Sequence, residues 1–394
     1  MDVWPAMPIL INGDLAPTDT TDNVIAVLGQ SNRVSQVILH LGGSQLEEFL
    51  AAMQVSLPEL TRLELWLHET PPDIPNLFLG GSAPRLQILF LHSVSFPGLP
   101  KLLLSATHLV DLHLYNIPHS GYISPEAIVA SLSALPSLYS LHLEFRSPQS
   151  RPDRGSRRPP PSKCSVLPAL DEFCFKGVSE YLEQLVTGID TPQLSYANIT
   201  FFNQIDFDCP RLAQFINSTP TLRGRDEAHV QFHDDTANVT LRHRTSESDD
   251  DDLLIYISCR EPDWQLSSIE QVCNSLPPLS LVEDLYIQPH PFKSELVWKN
   301  DIIENTLWLD LFLPFITVKN LYLSKEFAPG IAAALQELVG GRITDVFPSL
   351  QNIFMEGLEP SGSFQENIEQ FLATRQLLGH PIAILVWARS EEDQ

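Results

Sequence analysis

A short pattern, L-x-x-L-x-L, returns along the chain and limits what the chain can fold into more than any other feature. It stands as Leu60-Leu63-Leu65, Leu86-Leu89-Leu91, Leu109-Leu112-Leu114 and Leu138-Leu141-Leu143. Val34-Val37-Leu39 precedes these, and Leu170-Phe173-Phe175 and Leu194-Ala197-Ile199 come after them in weaker form. After an interruption it resumes as Val282-Leu285-Ile287, Val318-Leu321-Leu323 and Leu350-Ile353-Met355. From Val34 to Leu194 the starts are 26, 26, 23, 29, 32 and 24 residues apart, and the last two intervals are 36 and 32. Self-similarity at such a period marks stacked units that cannot bury their apolar faces alone.

Proline fixes the register. It stands two positions before the first pattern residue at Pro58, Pro84, Pro136, Pro168, Pro192 and Pro348. Lacking a backbone N–H and disfavouring helix at the residue before it, each can end a helix or loop just ahead of a strand. Helix-like stretches lie between the pattern units. Ser44-Gln45-Leu46-Glu47 has the form of a capping box, and Ser124-Pro125 places a cap before a proline at the first helical position. Ser179 precedes Tyr181, Leu182, Leu185 and Ile189 at helical spacing, and amphipathic runs cover 266–276, 302–312, 328–339 and 364–378.

One strand and one helix per period is the leucine-rich-repeat unit. The fold class expected is therefore α/β: an irregular leucine-rich-repeat solenoid, a curved horseshoe with parallel strands on the concave side and helices outside. It is expected to occupy 1–394 as a single domain, atypical at both ends. Side chains alternate along a strand, so the fourth and sixth pattern residues enter the core, while the third, fifth and seventh face the other way.

Two segments break the rhythm. Residues 146–163 carry five Pro and six Arg or Lys without apolar periodicity, and read as a disordered surface insertion, with a docking site for a proline-binding domain as the sharper alternative. Residues 222–260 hold three β-like runs, Ala228–Phe232, Asn238–Arg242 and Leu253–Ser258. Between the last two lies an acidic run ending in Asp249-Asp250-Asp251-Asp252, read as a solvated loop tip.

Charge narrows the partners. With 24 Lys+Arg against 49 Asp+Glu, the net charge of −25 argues against nucleic acid and against an anionic membrane surface. No run of about 18 or more uncharged apolar residues occurs, so no span is expected. An odd count of five cysteines without a C-x-x-C pair points to a reducing compartment. With no basic and apolar leader at the start, the chain reads as intracellular, cytoplasmic or nuclear, and the sequons at Asn198, Asn217 and Asn238 as chance.

No phosphate-binding glycine loop, zinc-protease helix or nucleophile elbow is present. The metal candidate is His229-x-x-x-His233 with Asp234 and Asp235; on a strand the two imidazoles would sit about 13 Å apart, too far for one zinc, so an exposed polar strand is the plainer reading. No catalytic, cofactor-binding or metal-binding residue is assigned. The candidates for contact with a partner lie on the outward rows of the repeat: Trp66, Phe90, His92, His113, Tyr115 and His142. Aromatic anchors dominate protein hot spots, although such rings can equally stack for the sheet's own benefit. Tyr286, Tyr322 and Phe354 raise the same question near the C-terminus.

The segments GGSAPRLQILFLHSVSFPGLPKLLLSATHLVDLHL, HSGYISPEAIVASLSALPSLYSLHLEF and LPALDEFCFKGVSEYLEQLV resemble the leucine-rich-repeat region of F-box-like proteins of basidiomycete fungi. The resemblance runs from about Trp4 onward. It implies a repeat surface that recognises a client protein, and an F-box that docks a Skp-type adaptor and cullin of a ubiquitin ligase. The segment Met1–Pro8 resembles the stretch just after an F-box, and residues 5–21, with Pro5, Pro8, Gly13 and Pro17, cannot supply its helices. The expected function is a non-enzymatic protein-interaction module, meeting a client on the concave face. The alternatives are a decayed F-box-like fragment without a partner, and a metal-dependent enzyme built on His229, His233 and Asp249–Asp252.

Overall fold

In a computed structural model of the protein, the described residues are 7–15, 22–42, 45–67, 73–152, 164–204, 207–244, 252–289, 304–338, 345–357 and 363–387. The chain packs as two compact units, 1–194 and 195–394, and each is described by itself.

In the first unit the strands are β1 (Ile9–Leu15), β2 (Val34–Leu41), β3 (Arg62–Leu67), β4 (Ile88–His92), β5 (Asp111–Ile117), β6 (Ser140–Phe145) and β8 (Glu172–Gly177). They pair in that order, every pair parallel. Two short strands, β7 (Ser165–Val166) and β9 (Ile189–Asp190), form a separate pair. Helices α1 (Asp22–Leu28), α2 (Gln45–Ala52), α3 (Leu99–Leu103), α4 (Pro125–Leu132) and α5 (Ser179–Thr187) lie between strands in sequence.

The register is the one the pattern demands. Val37, Leu63, Leu89, Leu112, Leu141 and Phe173 stand side by side across six strands, and Leu39, Leu65, Leu91, Leu114, Leu143 and Phe175 beside them. All are at most 3% exposed. Burying each contributes roughly 1.5–3 kcal/mol, and because every row is shared between neighbours, no unit of the pattern holds this energy alone.

The prolines do more than end helices. Leu60 N–H donates to Leu57 O (3.1 Å), Leu86 to Ala83 (3.2 Å), Leu138 to Leu135 (3.3 Å), Leu170 to Leu167 (3.3 Å), Leu194 to Thr191 (3.3 Å) and Leu350 to Phe347 (3.1 Å). Each proline is thus the second residue of a hydrogen-bonded turn, where its fixed φ suits the turn and its missing N–H is not needed. The turn delivers the first pattern leucine into the core. In α4 the cap at Ser124 accepts from Ala127 N–H at 3.3 Å, as expected from Ser124-Pro125. Ser44 of the other capping box lies outside the described residues. Ile189 belongs to β9 and not to α5, because Gly188 ends the helix.

The second unit holds β10 (Tyr196–Phe202), β11 (Glu227–Phe232), β12 (Thr236–Arg242), β13 (Leu253–Ser258), β14 (Asp284–Pro289), β15 (Asn320–Leu323), β16 (Asn352–Glu356) and β17 (Ala383–Trp387), with α6 (Pro210–Ser218), α7 (Pro262–Ser275), α8 (Asn305–Phe312), α9 (Ala328–Gln336) and α10 (Ser363–Leu377). Its sheet order is β10-β13-β12-β11-β14-β15-β16-β17. The interruption expected at 222–260 is therefore an antiparallel meander built into the sheet, with β13 parallel to β10 and β11 parallel to β14, so that among the described strands only β12 runs against the rest.

The meander is anchored by a buried arginine. Arg225 stands three residues before Ala228, as Val282 stands before Leu285 on the paired strand, so it fills the place of a first pattern residue. Fully buried, it donates to Leu241 O (3.1 Å) and Ser195 O (3.3 Å) and lies 4.0 Å from the Asp252 carboxylate. Asp252 also accepts from Arg242 Nε at 2.7 Å. This corrects the reading of the acidic run at its last residue: Asp252 is buried and paired, because two guanidiniums meet it, while 245–251 lie outside the described residues. At the other end of the meander, buried Gln265 on α7 donates to both His233 O (2.8 Å) and Cys259 O (2.6 Å). Of 146–163, residues 146–152 are described and Ser150 is buried there; the rest lies outside the described residues.

Candidate functional site

The face of the first unit turned away from the leucines carries a continuous array of rings. Parallel register places Glu64, Phe90, His113, His142 and Cys174 in one row across β3, β4, β5, β6 and β8, and His40, Trp66, His92 and Tyr115 in the next across β2, β3, β4 and β5. All six residues singled out from the sequence fall on this face, and the structure brings them together. Trp66 and Phe90 have ring centroids 4.2 Å apart, Trp66 and His92 5.2 Å, Phe90 and Tyr115 5.0 Å, and His113 and His142 4.1 Å. His40 extends the array, stacked on Trp66 at 5.3 Å, a member that the row positions of β2 would have supplied. Each of the six is half-buried.

Tyr115 is placed by a backbone irregularity. Asn116 takes a positive φ of 53° and the β5–β6 register slips between Leu114 and Ile117. Such a bulge bends the strand and re-aims the neighbouring side chain. Tyr115 then leans onto β6, where its hydroxyl meets His142 Nδ1 at 2.6 Å.

Burial decides the protonation of this group. It pushes His142 down to about 4, helped by His113 alongside, and lowers His113 as well; two imidazoles 4.1 Å apart oppose a shared positive charge. Burial also raises Tyr115 above the ordinary phenol range. At neutral pH the phenol and the imidazole are therefore both uncharged and share one hydrogen bond between the hydroxyl and Nδ1.

The third row adds a serine that the sequence reading did not weigh. Ser140 Oγ lies 3.2 Å from His113 Nε2 and donates to Glu172 Oε2 at 3.0 Å. With its own proton committed to Glu172, Ser140 accepts from His113 Nε2–H. Serine, histidine and carboxylate are thus present, but in the wrong order for nucleophilic catalysis, where the histidine must take the serine's proton and the acid must hold the histidine. Ser140 is also only 3% exposed, so the chain of hydrogen bonds orients the rings rather than offering a hydroxyl to a substrate.

Carboxylates border the rings. Asp111 and Glu144 are raised, chiefly by burial, with Lys176 offsetting Glu144 in part. Arg62 is held by Glu64 at 2.5 Å on the same strand. Cys174, at the end of the row, is raised to about 12 by burial and nearby acids, so it is a neutral thiol without nucleophilic character at neutral pH.

The second unit carries its own ladder. His229, Tyr286, Tyr322 and Phe354 stack at 4.3, 4.1 and 4.4 Å with interplanar angles of 2°, 8° and 9°. Trp387 crosses it edge-on, 5.7 Å from Tyr322. His229 is thereby corrected from an exposed polar strand residue to a half-buried ring, bonded to Glu227 at 2.5 Å and stacked on Tyr286. His233 lies beyond the end of β11 beside Asp235 at 3.4 Å. Among the described residues, no group of three or more His, Cys, Asp or Glu is arranged to hold a metal ion, and no helix is long and apolar enough to cross a membrane.

No protein-family model matches the chain, and no curated protein matches it. Among solved structures, the crystal structure of the leucine-rich repeat-containing protein LegL7 from Legionella pneumophila is similar over 93% of this chain and 97% of that one, with a TM-score of 0.31 and 14% sequence identity.

Proposed function

We propose that this protein is a non-enzymatic protein-binding module of the leucine-rich-repeat type, whose repeats curve so that the ring array lies on the concave side and meets a client protein there. One observation carries the reading: a contiguous set of half-buried rings, Trp66, Phe90, His92, His113, Tyr115 and His142, on the sheet face that the leucine core does not use. A sheet face needs only polar side chains to stand in water. Tryptophan, phenylalanine and tyrosine clustered there are the residue types that supply binding energy at protein interfaces.

The resemblance of the repeats to those of basidiomycete F-box-like proteins gives the module a place: client recognition related to ubiquitin-ligase receptors, in cytoplasm or nucleus. A Skp-type adaptor and cullin would then be partners of a second kind, met outside the ring array. We assign no catalytic, cofactor or metal-binding residue.

The test is site-specific photo-crosslinking in host extract, with a photoreactive residue placed at His92 or, as a control, at Glu48 on α2. The reading expects discrete protein adducts from position 92 and not from 48. Equal adduct patterns from the two positions would contradict it. Recovery of Skp adaptor and cullin with the tagged chain would support the ligase assignment; adducts at 92 without them would leave a client binder outside the ligase.

A further inference from the structure

The last strand of the second unit, β17, has an open hydrogen-bonding edge. Among the described residues it pairs with β16 alone, in unbroken register from Ala383 beside Asn352 to Trp387 beside Glu356. Ala383 N–H donates to Gln351 O at 2.9 Å, so the backbone groups of residues 383, 385 and 387 are directed at β16. Backbone groups alternate in direction along a strand, and those of Ile384 and Val386 therefore point out of the sheet's edge.

Natural sheets blunt such edges with charged residues, proline or a bulge. β1, at the other end of the strand order, has Asp14 and a register shift between Ile9 and Leu10. β17, Ala383-Ile384-Leu385-Val386-Trp387, has neither. Both of its faces are apolar. On the core side Ile384 and Val386 continue the rows of Ile353 and Met355, and Val386 is left 65% exposed. On the other side Leu385 continues the ring ladder past Phe354 and is 41% exposed, while Trp387 turns back toward Tyr322 and Leu323 O and leaves the edge clear.

We propose that this edge pairs with the same edge of a second copy of the chain, antiparallel about a two-fold axis through Leu385. The strand itself argues for that occupant. In this register Ile384 of each copy stands opposite Val386 of the other. Both residues point their backbone groups outward, so each such pair exchanges its N–H···O bonds in both directions. The same pairs set isoleucine against valine on the core side, and each copy covers the row end that the other leaves open. Leu385 meets Leu385 on the opposite face, and Ala383 faces Trp387, small against large. A slip of one residue would set these outward groups against backbone already engaged with β16. The residues that follow in the sequence, Ala388-Arg389-Ser390-Glu391-Glu392-Asp393-Gln394, hold no apolar side chain beyond the alanine methyl with which to cover Val386.

Each copy has a net charge of −25, which opposes association at low salt. The dimer should therefore tighten as salt is added, whereas a basic segment of another protein on this edge would be weakened by it. The ring face of the first unit takes no part, so the proposal stands or falls apart from the client-binding reading.

Sedimentation equilibrium of the full chain over a concentration series, at low and high salt, tests the assembly. A mass rising to twice 44.2 kDa, at lower concentration in high salt, is expected. Val386→Lys alters a largely exposed side chain and should raise the dissociation constant at least about tenfold while melting stays cooperative. Disulfide capture under mild oxidation reads the register, in a Cys164→Ser background that removes the exposed native cysteine. Leu385→Cys should be captured as a covalent dimer, because a non-hydrogen-bonded antiparallel pair holds its Cα atoms about 4.5 Å apart, within disulfide reach. Ala383→Cys, opposite Trp387 and far from its own counterpart, should not. A chain that keeps the single mass in high salt would overturn the proposal. So would a dimer that Val386→Lys leaves intact, or equal capture from positions 383 and 385, because the copies would then meet elsewhere or by collision.

Discussion

Single residues in this protein act through protons and through what they replace. His142 is the clearest case. Its folded pKa, near 4, lies below the ordinary imidazole value of 6.5, so the unfolded chain binds more protons between those limits. Stability from this group is complete above about pH 6.5 and is lost as the pH falls toward 4. Asp111 and Glu144 carry the opposite sign, since their raised values make the folded state bind more protons than the unfolded one. The difference between wild type and His142→Phe isolates the histidine. The variant's melting temperature should fall less steeply than that of wild type from pH 6.5 to 4.5, and parallel profiles would show that His142 is freely protonated in the fold. Arg225 acts by replacement, a guanidinium where paired strands hold Val or Leu. Arg225→Ala leaves Asp252 buried beside one cation instead of two and should cost about 3–5 kcal/mol in denaturant unfolding. A loss below about 1 kcal/mol would mean that Arg242 alone satisfies that carboxylate.

At the scale of elements, stability comes from rows shared across strands. Leu112 lies in the middle of one, with Leu89 and Leu141 on either side. Leu112→Ala should cost about 2–5 kcal/mol and Leu112→Asp should abolish the first unit's cooperative melting, while an unchanged melting curve for the aspartate variant would sink the assignment of this row to the core. These rows, the strand positions and the six rings are readable from spacing because a period of two along a strand and a fixed offset between units leave little freedom. Three things are not. β1 and β17 end the sheets without the leucine spacing, and in β17 Val386 is 65% exposed although its register partner Met355 is buried. β11 reads as a strand but not as part of the repeat, because Arg225 occupies its first position. Ser140 joins the array through contacts between strands, 27 residues from His113, which no local spacing announces.

On the scale of the whole molecule, the chain separates two tasks. Leucine rows inside each unit hold the strands; the opposite faces carry rings whose mutual contacts are only part of what such side chains can offer. The two ladders differ in degree, one built of parallel rings stacked face to face, the other of mostly tilted rings pinned by the Tyr115–His142 and His113–Ser140–Glu172 hydrogen bonds. The claim that the tilted ladder serves a partner is tested most directly by comparing partner capture and melting temperature for wild type and for His113→Ala combined with Tyr115→Ala. The account predicts that adducts formed from a photoreactive residue at position 92 fall at least about tenfold, while melting stays cooperative. Undiminished capture together with a lowered melting temperature would contradict it, because the rings would then stack only for the sheet that bears them.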